Sequence, residues 1–292
     1  MTLVVLNYGA IIQKLLLKDS EGNYTNVVVG YNHPSRYLTD KVCLGACVGR
    51  HAGRISKGGF IIDRERFIIH TDNDVHLHGG KEGFHKKYWT IEKIVPTGNP
   101  SITLSYKSTH LEEGYPGNLM VQVTYQLIDN KLHITHRAKT DRSTVVNLTN
   151  HSYFKLDNSP YIDAYELQLN CPYYLETLNN LLPTGNVLPV YATNFDFLKP
   201  KQIDLTRLDT PFVRNPNNTI VAKVSSKETR ISLEVQTNQP AVVVYTPTDF
   251  PGICFETQNL PDAPNQPSFP SSILRPGETY NNSSTFTFAN ES

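Results

Sequence analysis

Four short segments of this 292-residue chain gather the residues able to move protons or grip hydroxyl groups. The first is His76-Leu77-His78-Gly79-Gly80. Residues two apart face the same side of an extended segment, so these histidines have the spacing of a shared metal site. The same spacing serves histidines that only hydrogen-bond within a strand-end loop. The second segment, residues 147–154 (NLTNHSYF), carries His151 and two asparagines behind an apolar run, as a strand end would deliver them to a pocket. A satisfied buried histidine is the alternative there. In the third, Glu256 follows Ile253-Cys254-Phe255 and precedes a proline-rich stretch. Apolar surroundings raise a carboxyl pKa, which suits a general base near neutrality; the plain alternative is a carboxylate at a strand end. The fourth, residues 49–55 (GRHAGRI), sets Arg50 and Arg54 among glycines, where they can meet hydroxyls or a carboxylate or simply face solvent.

The elements that must position these groups read as strands. Apolar residues come in short runs bounded by Gly, Pro, Asn and Asp. Val121, Val123, Tyr125 and Leu127 alternate with polar neighbours, the period of a strand with one buried face. Asp129-Asn130 then predicts a tight turn into Leu132, Ile134 and His136. Residues 232–236 and 241–245 predict a second pair, turned at 238–240. The stretch 194–218, poor in aliphatics and rich in Pro and Asn, predicts a long loop. No run of about 12 or more residues keeps a helical period. Sixteen tyrosines and many Val and Thr residues favour pleated surfaces. Strands without intervening helices point to an all-β fold, an antiparallel β-sandwich or barrel, in a single domain over residues 1–292.

Composition narrows the function. Hydrophobic residues make up 39% of the chain, enough for a core. Lys plus Arg equals Asp plus Glu at 27 each, so no basic excess exists to neutralise nucleic acid or anionic lipid. Apolar runs fall far short of the ~20 residues of a membrane span. The N-terminus lacks the basic, then apolar, pattern of a signal peptide, and four cysteines without C-x-x-C spacing suit free thiols in a reducing cytoplasm. The expectation is a cytoplasmic protein with no nucleic-acid or membrane partner.

Taken in order along the chain, the four segments resemble the aldose 1-epimerase (galactose mutarotase) family. Residues 48–55 are similar to its Gly-Arg…Asn-Arg-Ile signature, and HLHGGKEGF at 76–84, followed by Trp89, to its Leu-His-Gly-Gly motif. EGYPGNL at 113–119, NLTNHSYF at 147–154, PTG at 183–185, FDF at 195–197 and the long string from Glu256 to Tyr280 follow in the family's order. The resemblance implies a large antiparallel β-sandwich with a sugar cleft on one side. It implies Glu256 as catalytic base, His151 as catalytic acid, and Arg54, His78 and Asp209 as sugar-binding residues. His76 receives no role. The implied partner is a small free aldose, glucose or galactose, with no metal or cofactor, bound by a monomer or homodimer.

Anomer interconversion requires that the C1 hydroxyl lose a proton while the ring oxygen gains one, so that C1–O5 opens. A carboxylate and an imidazolium beside those two atoms supply both transfers. Two departures bear on sugar preference: the family's asparagine before Arg-Ile is Gly53 here, and a glutamine of some members is Val243. Three rivals remain. A glycoside hydrolase or lyase on a similar sandwich would use Glu256 and Asp209 as its carboxylate pair. A sugar-binding protein without catalysis would lack the acid or the base. A zinc enzyme would use His76 and His78.

Overall fold

The computed structural model describes residues 1–18 and 22–290. Two antiparallel sheets face each other. The larger has nine strands in the spatial order Lys201–Gln202, Glu166–Leu169, Ile220–Ser225, Ile231–Thr237, Tyr280–Asn290, Lys131–Thr140, Leu119–Ile128, Ser101–Ser108 and Thr90–Val95. The smaller has six: Tyr153–Phe154, Ile253–Gln258, Ala241–Tyr245, Asp209–Val213, Tyr173–Thr177 and Pro183–Pro189. The all-β sandwich expected from the sequence is the architecture found.

Alternation builds the hairpin at the centre of the large sheet. Leu119, Val121, Val123, Tyr125 and Leu127 are buried while their neighbours are exposed or half-buried, and the register runs unbroken from Leu119↔Thr140 to Ile128↔Lys131. Asp129 takes φ 53°, a left-handed conformation that suits a two-residue turn between twisted strands. From the small sheet, Val242, Val244, Ile253 and Phe255 are buried in the same core. Phe154 stacks on Phe286 of the large sheet at a centroid separation of 5.2 Å, fastening the two layers.

Two sequence expectations fail here. Residues 232–236 and 241–245 do not pair. The first strand lies in the large sheet between Ile220–Ser225 and Tyr280–Asn290, and the second lies in the small sheet. The link at 238–240 therefore crosses between layers, since each strand has its own apolar face to bury. Likewise the stretch 194–218 is not all loop. It contains Asp209–Val213, an interior strand of the small sheet. Pro211 fits there because pairing with Tyr173–Thr177 covers only Val213 and Phe212, leaving Pro211 no ladder bond to donate on that side.

Strand Ile253–Gln258 is buried along its whole length. Its second face is covered by loop segments around residues 43–54, 147–153 and 260–263. That covered face is where the chemistry collects.

Candidate active site

The side-chain period of two places Cys254, Glu256 and Gln258 on one face of their strand. Register then fixes their neighbours: Tyr245 lies opposite Cys254, Val243 opposite Glu256 and Ala241 opposite Gln258. One strand further, Asp209 pairs with Tyr245 and Pro211 with Val243. This face is the floor of a cleft of about 790 Å³, open mouth included, walled by Gly53, Arg54, His78 and His151 among others.

Each wall residue is held by its own motif. Asn147 donates from Nδ2 to the carbonyls of Ala52 (3.1 Å) and Asn259 (3.2 Å) and accepts from the Asn259 amide (2.8 Å). It therefore ties the arginine loop to the segment after Glu256. Asn150 donates to Gly45 O and accepts from the Ser152 amide and hydroxyl, shaping the turn that carries His151. The His151 amide donates to Ala46 O at 2.9 Å. Its Nδ1 lies 3.5 Å from Cys254 Sγ and its Nε2 lies 3.5 Å from Glu256 Oε1. Arg54 is anchored through its carbonyl, which accepts from the Asp262 amide at 2.7 Å, and its guanidinium meets Asp209 at 3.3 Å.

His78 occupies a left-handed conformation, φ 50°, immediately after strand His76–Leu77. Next to it, a Cβ on Gly79 would fall 1.8 Å from Gly49 O, so only glycine allows this close approach. The Gly53 amide donates to His78 Nδ1 at 3.2 Å. That bond assigns the tautomer: the proton of the neutral ring sits on Nε2, making His78 a donor. Burial first, then His151 and Arg54, holds the His78 pKa well below its usual value, so the ring stays neutral.

The structure separates the two histidines of the HLH motif. His76 is 1% exposed, its Nδ1 2.6 Å from His70 O and its Nε2 2.6 Å from the Tyr115 hydroxyl. The two-residue rule fails because His78 has left the extended conformation. They share no site. Arg50 is likewise drawn out of the candidate set: it is 2% exposed and donates to Ser108 Oγ, Pro116 O, Thr144 Oγ1, Ser108 O and Thr109 O. His78, His151, Glu256, Arg54 and Asp209 do converge on one cleft. Cys254, Tyr245 and Gln258 also belong to it or back it, and the sequence reading passed over them. The alternation Cys254, Glu256, Gln258 was the available signal.

Burial governs the electrostatics of the floor. It raises the Glu256 pKa to about 8, with Asp209 adding to the rise and Arg54 opposing it. It lowers His151 to about 4. Between those values the touching pair holds one proton in total, on the carboxyl or on the imidazole. His78, His151 and Glu256 each bring a ligand atom within 4.8 Å of the others, the spacing of a three-ligand metal site. The His78 tautomer argues against such use: Nδ1 is taken by the Gly53 amide and Nε2 carries a proton, which leaves two ligands.

The sequence profile of the family described as Aldose 1-epimerase matches residues 1–287. The chain belongs to the aldose 1-epimerase family. It is 36% identical to the galactose mutarotase of Homo sapiens over 312 aligned residues, covering 98% of this chain and 90% of the relative. It is 30% identical to the aldose 1-epimerase of Escherichia coli K12, covering 100% and 93%. Among solved structures, an aldose epimerase homologue from C. elegans superposes with a TM-score of 0.94 at 27% identity, covering 99% of this chain and 96% of that one. Galactose 1-epimerase from Lactobacillus acidophilus NCFM gives 0.89 at 30% identity, covering 99% and 91%. Membership in the aldose 1-epimerase family makes this chain a carbohydrate isomerase by kinship, and its cleft lies on one side of the sandwich as the sequence resemblance implied.

Proposed function

We propose that this protein interconverts the α and β anomers of a free aldohexose, glucose or galactose, by acid–base ring opening and closure. The observation that carries the reading is the buried Glu256–His151 pair, 3.5 Å apart on the floor of the cleft. In the form with Glu256 ionised and His151 protonated, the carboxylate takes the C1 hydroxyl proton. His151 gives its Nε2 proton to the ring oxygen as the C1–O5 bond breaks. The electron pair from O1–H forms the aldehyde carbonyl, and the C1–O5 pair stays on O5, which becomes a hydroxyl. Rotation about C1–C2 presents the other carbonyl face. The reverse transfers close the ring and restore both groups, so no proton is gained or lost over the cycle.

His78 Nε2–H and Arg54 offer donors to oxygen atoms of the sugar, while Asp209, oriented by Arg54, offers an acceptor. A hydrolase on this cleft would need two carboxyl groups as its working pair. Here the near partner of Glu256 is an imidazole and that of Asp209 a guanidinium, which favours isomerisation. Four free, buried cysteines suit a reducing compartment, and we extend the proposal to a cytoplasmic location. Polarimetry of freshly dissolved α-D-glucose, α-D-galactose and α-D-xylose, with and without protein and again after chelator treatment, tests the activity. Accelerated rotation change that survives the chelator is expected. No acceleration for any aldose overturns the reading.

A further inference from the structure

Glu256 is one of two residues on the cleft floor with a buried oxygen that nothing in the protein satisfies. Among the described residues, Glu256 Oε2 and Gln258 Oε1 both lack a hydrogen-bond partner. They lie two positions apart on one strand face, a separation of ~7 Å, the scale of a pyranose ring. The first is accounted for by the anomeric hydroxyl. The second has no counterpart in the mechanism.

Gln258 is fully buried and lines the cleft. Its amide is not free to turn over. Nε2 donates to Asn259 O at 3.2 Å, and a flipped amide would set two carbonyl oxygens against each other. Oε1 is therefore fixed as an acceptor without a donor. Burying such an oxygen without a donor is unfavourable, and a ligand hydroxyl would relieve that. Gly53 completes the arrangement: a Cβ there would stand 3.1 Å from Gln258 Nε2 and 3.1 Å from Pro261 Cγ. The missing side chain thus leaves the Gln258 amide its place at the wall. Among the described residues lining the cleft, Gln258 is also the one side-chain amide, since Gly53 and Val243 supply none.

We propose that Gln258 is a specificity-determining residue whose Oε1 accepts a hydrogen bond from one non-anomeric hydroxyl of the bound sugar. This inference rests on the sugar-isomerising reading above. Because Oε1 can only accept, it recognises a hydroxyl by its proton. Replacing that hydroxyl by hydrogen or by fluorine removes the bond equally.

The test pairs monodeoxy and monodeoxyfluoro sugars at C2, C3, C4 and C6 with wild-type protein and Gln258→Leu. Both binding, by titration calorimetry, and KM against kcat are read. At one ring position the wild type is expected to lose roughly three- to tenfold in affinity with either analogue, and Gln258→Leu less than twofold. For the unmodified sugar, Gln258→Leu is expected to raise KM by the same three- to tenfold, with a smaller change in kcat. Losses spread evenly over all positions in both proteins overturn the proposal. So does an unchanged KM in Gln258→Leu. Should that variant fail to fold, wild type and Gln258→Glu, which keeps an acceptor, decide the matter. The wild type must then show one position, away from C1, where fluorine is no better than hydrogen, and Gln258→Glu must keep it. If sugars bind with this pattern but their anomers do not interconvert, the proposed activity fails while the Gln258 contact stands.

Discussion

Two buried polar regions of this molecule are built from the same motifs and are finished differently. One is the bracket around Arg50 and His76. There the guanidinium donates to five acceptors and both ring nitrogens of the histidine have partners. The other is the cleft floor, where Arg54, His78, His151 and Glu256 stand four and two residues away from their bracket counterparts or across the sheet. There Glu256 Oε2 and Gln258 Oε1 have no partner, and the Glu256–His151 contact is a long 3.5 Å. A region whose polar atoms are all satisfied from within holds the fold together. One whose oxygens are left open beside a cleft is set up for a ligand. Openness alone does not make a site: His51 and His136 are buried with neither ring nitrogen partnered, and neither lines the cleft.

The sharpest way to break this contrast is to disable one region and read both activity and stability. Glu256→Gln removes the group that takes the C1 proton, and activity should fall by about 10³-fold or more, while sugar binding by calorimetry persists. Stability should move the other way. Burial raises the Glu256 pKa from 4.5 to about 8, so the folded state holds that proton more tightly than the unfolded chain. Wild-type stability then declines as pH rises from 4.5 through about 8, whereas glutamine has nothing to ionise. The Tm of Glu256→Gln should exceed that of wild type by a margin that widens across this window. An equal margin at pH 5 and pH 8 would show that the carboxyl does not carry the cost. His151→Asn should lose on the order of 10²- to 10³-fold in kcat, because the ring oxygen then leaves without a proton donor. Near wild-type turnover in either folded variant removes that residue from the mechanism.

The bracket should answer in the opposite sense. Arg50→Met strands five acceptors in the interior and should cost about 3 kcal/mol or more of stability. Its kcat, measured well below the lowered Tm, should stay within about twofold of wild type. A large kcat defect in folded Arg50→Met would show that the two regions are coupled and that the contrast drawn here is false.

The sequence distinguished these regions only partly, and the reason is geometric. Strand type, the hairpin turned at Asp129-Asn130 and the all-β class follow from period and turn chemistry, which are local. His151 and Glu256 each follow an apolar run, yet a satisfied histidine and a strand-end carboxylate fit those runs as well, and it is the family resemblance that singles the two out. Arg50 and Arg54 were not separable, nor His76 and His78, since which member faces the cleft depends on the backbone leaving extended geometry at His78. Pairing of residues 232–236 with 241–245 was misread because a crossover between layers and a hairpin share the same short, polar link. Asp209 falls inside a stretch that reads as loop; the family resemblance implies a sugar-binding role for it, and the register with Tyr245 puts it on the floor.

The pH dependence tests the cleft as a unit. On the sequence alone, a bell-shaped profile would have Glu256 ionising on its acid limb and His151 losing its proton on the alkaline one. Burial has pushed the two values past each other, to about 8 and about 4. The limbs therefore belong to the pair: kcat/KM should fall below about pH 4, where a second proton binds, and above about pH 8, where the last one leaves. Asp209 raises the Glu256 value, so Asp209→Asn should draw the alkaline limb to lower pH, beyond any effect on KM. An alkaline limb that does not move in that variant would place Glu256 outside the field of Asp209.

The smallest effect is expected from an apolar residue of the floor, Val243. It sits opposite Glu256 in the sheet, is 7% exposed and lines the cleft, yet its side chain can offer a sugar no hydrogen bond. Val243→Gln adds an amide beside the base without touching the acid–base pair. A neutral hydrogen bond contributes ~0.5–1.5 kcal/mol net, so KM should fall roughly two- to tenfold for the epimer whose hydroxyl the new amide reaches. The other epimer should gain less, and kcat should change little, because the contact is made equally in ground and transition states. Glucose and galactose should accordingly be turned over within about tenfold of each other by the natural protein and diverge in the variant. Equal gains for both sugars would mean that the amide reaches an oxygen they share. A natural protein with submillimolar KM and strong preference for one epimer would mean that the polar groups already on the floor, Gln258 and Asp209, read the sugar without help from position 243.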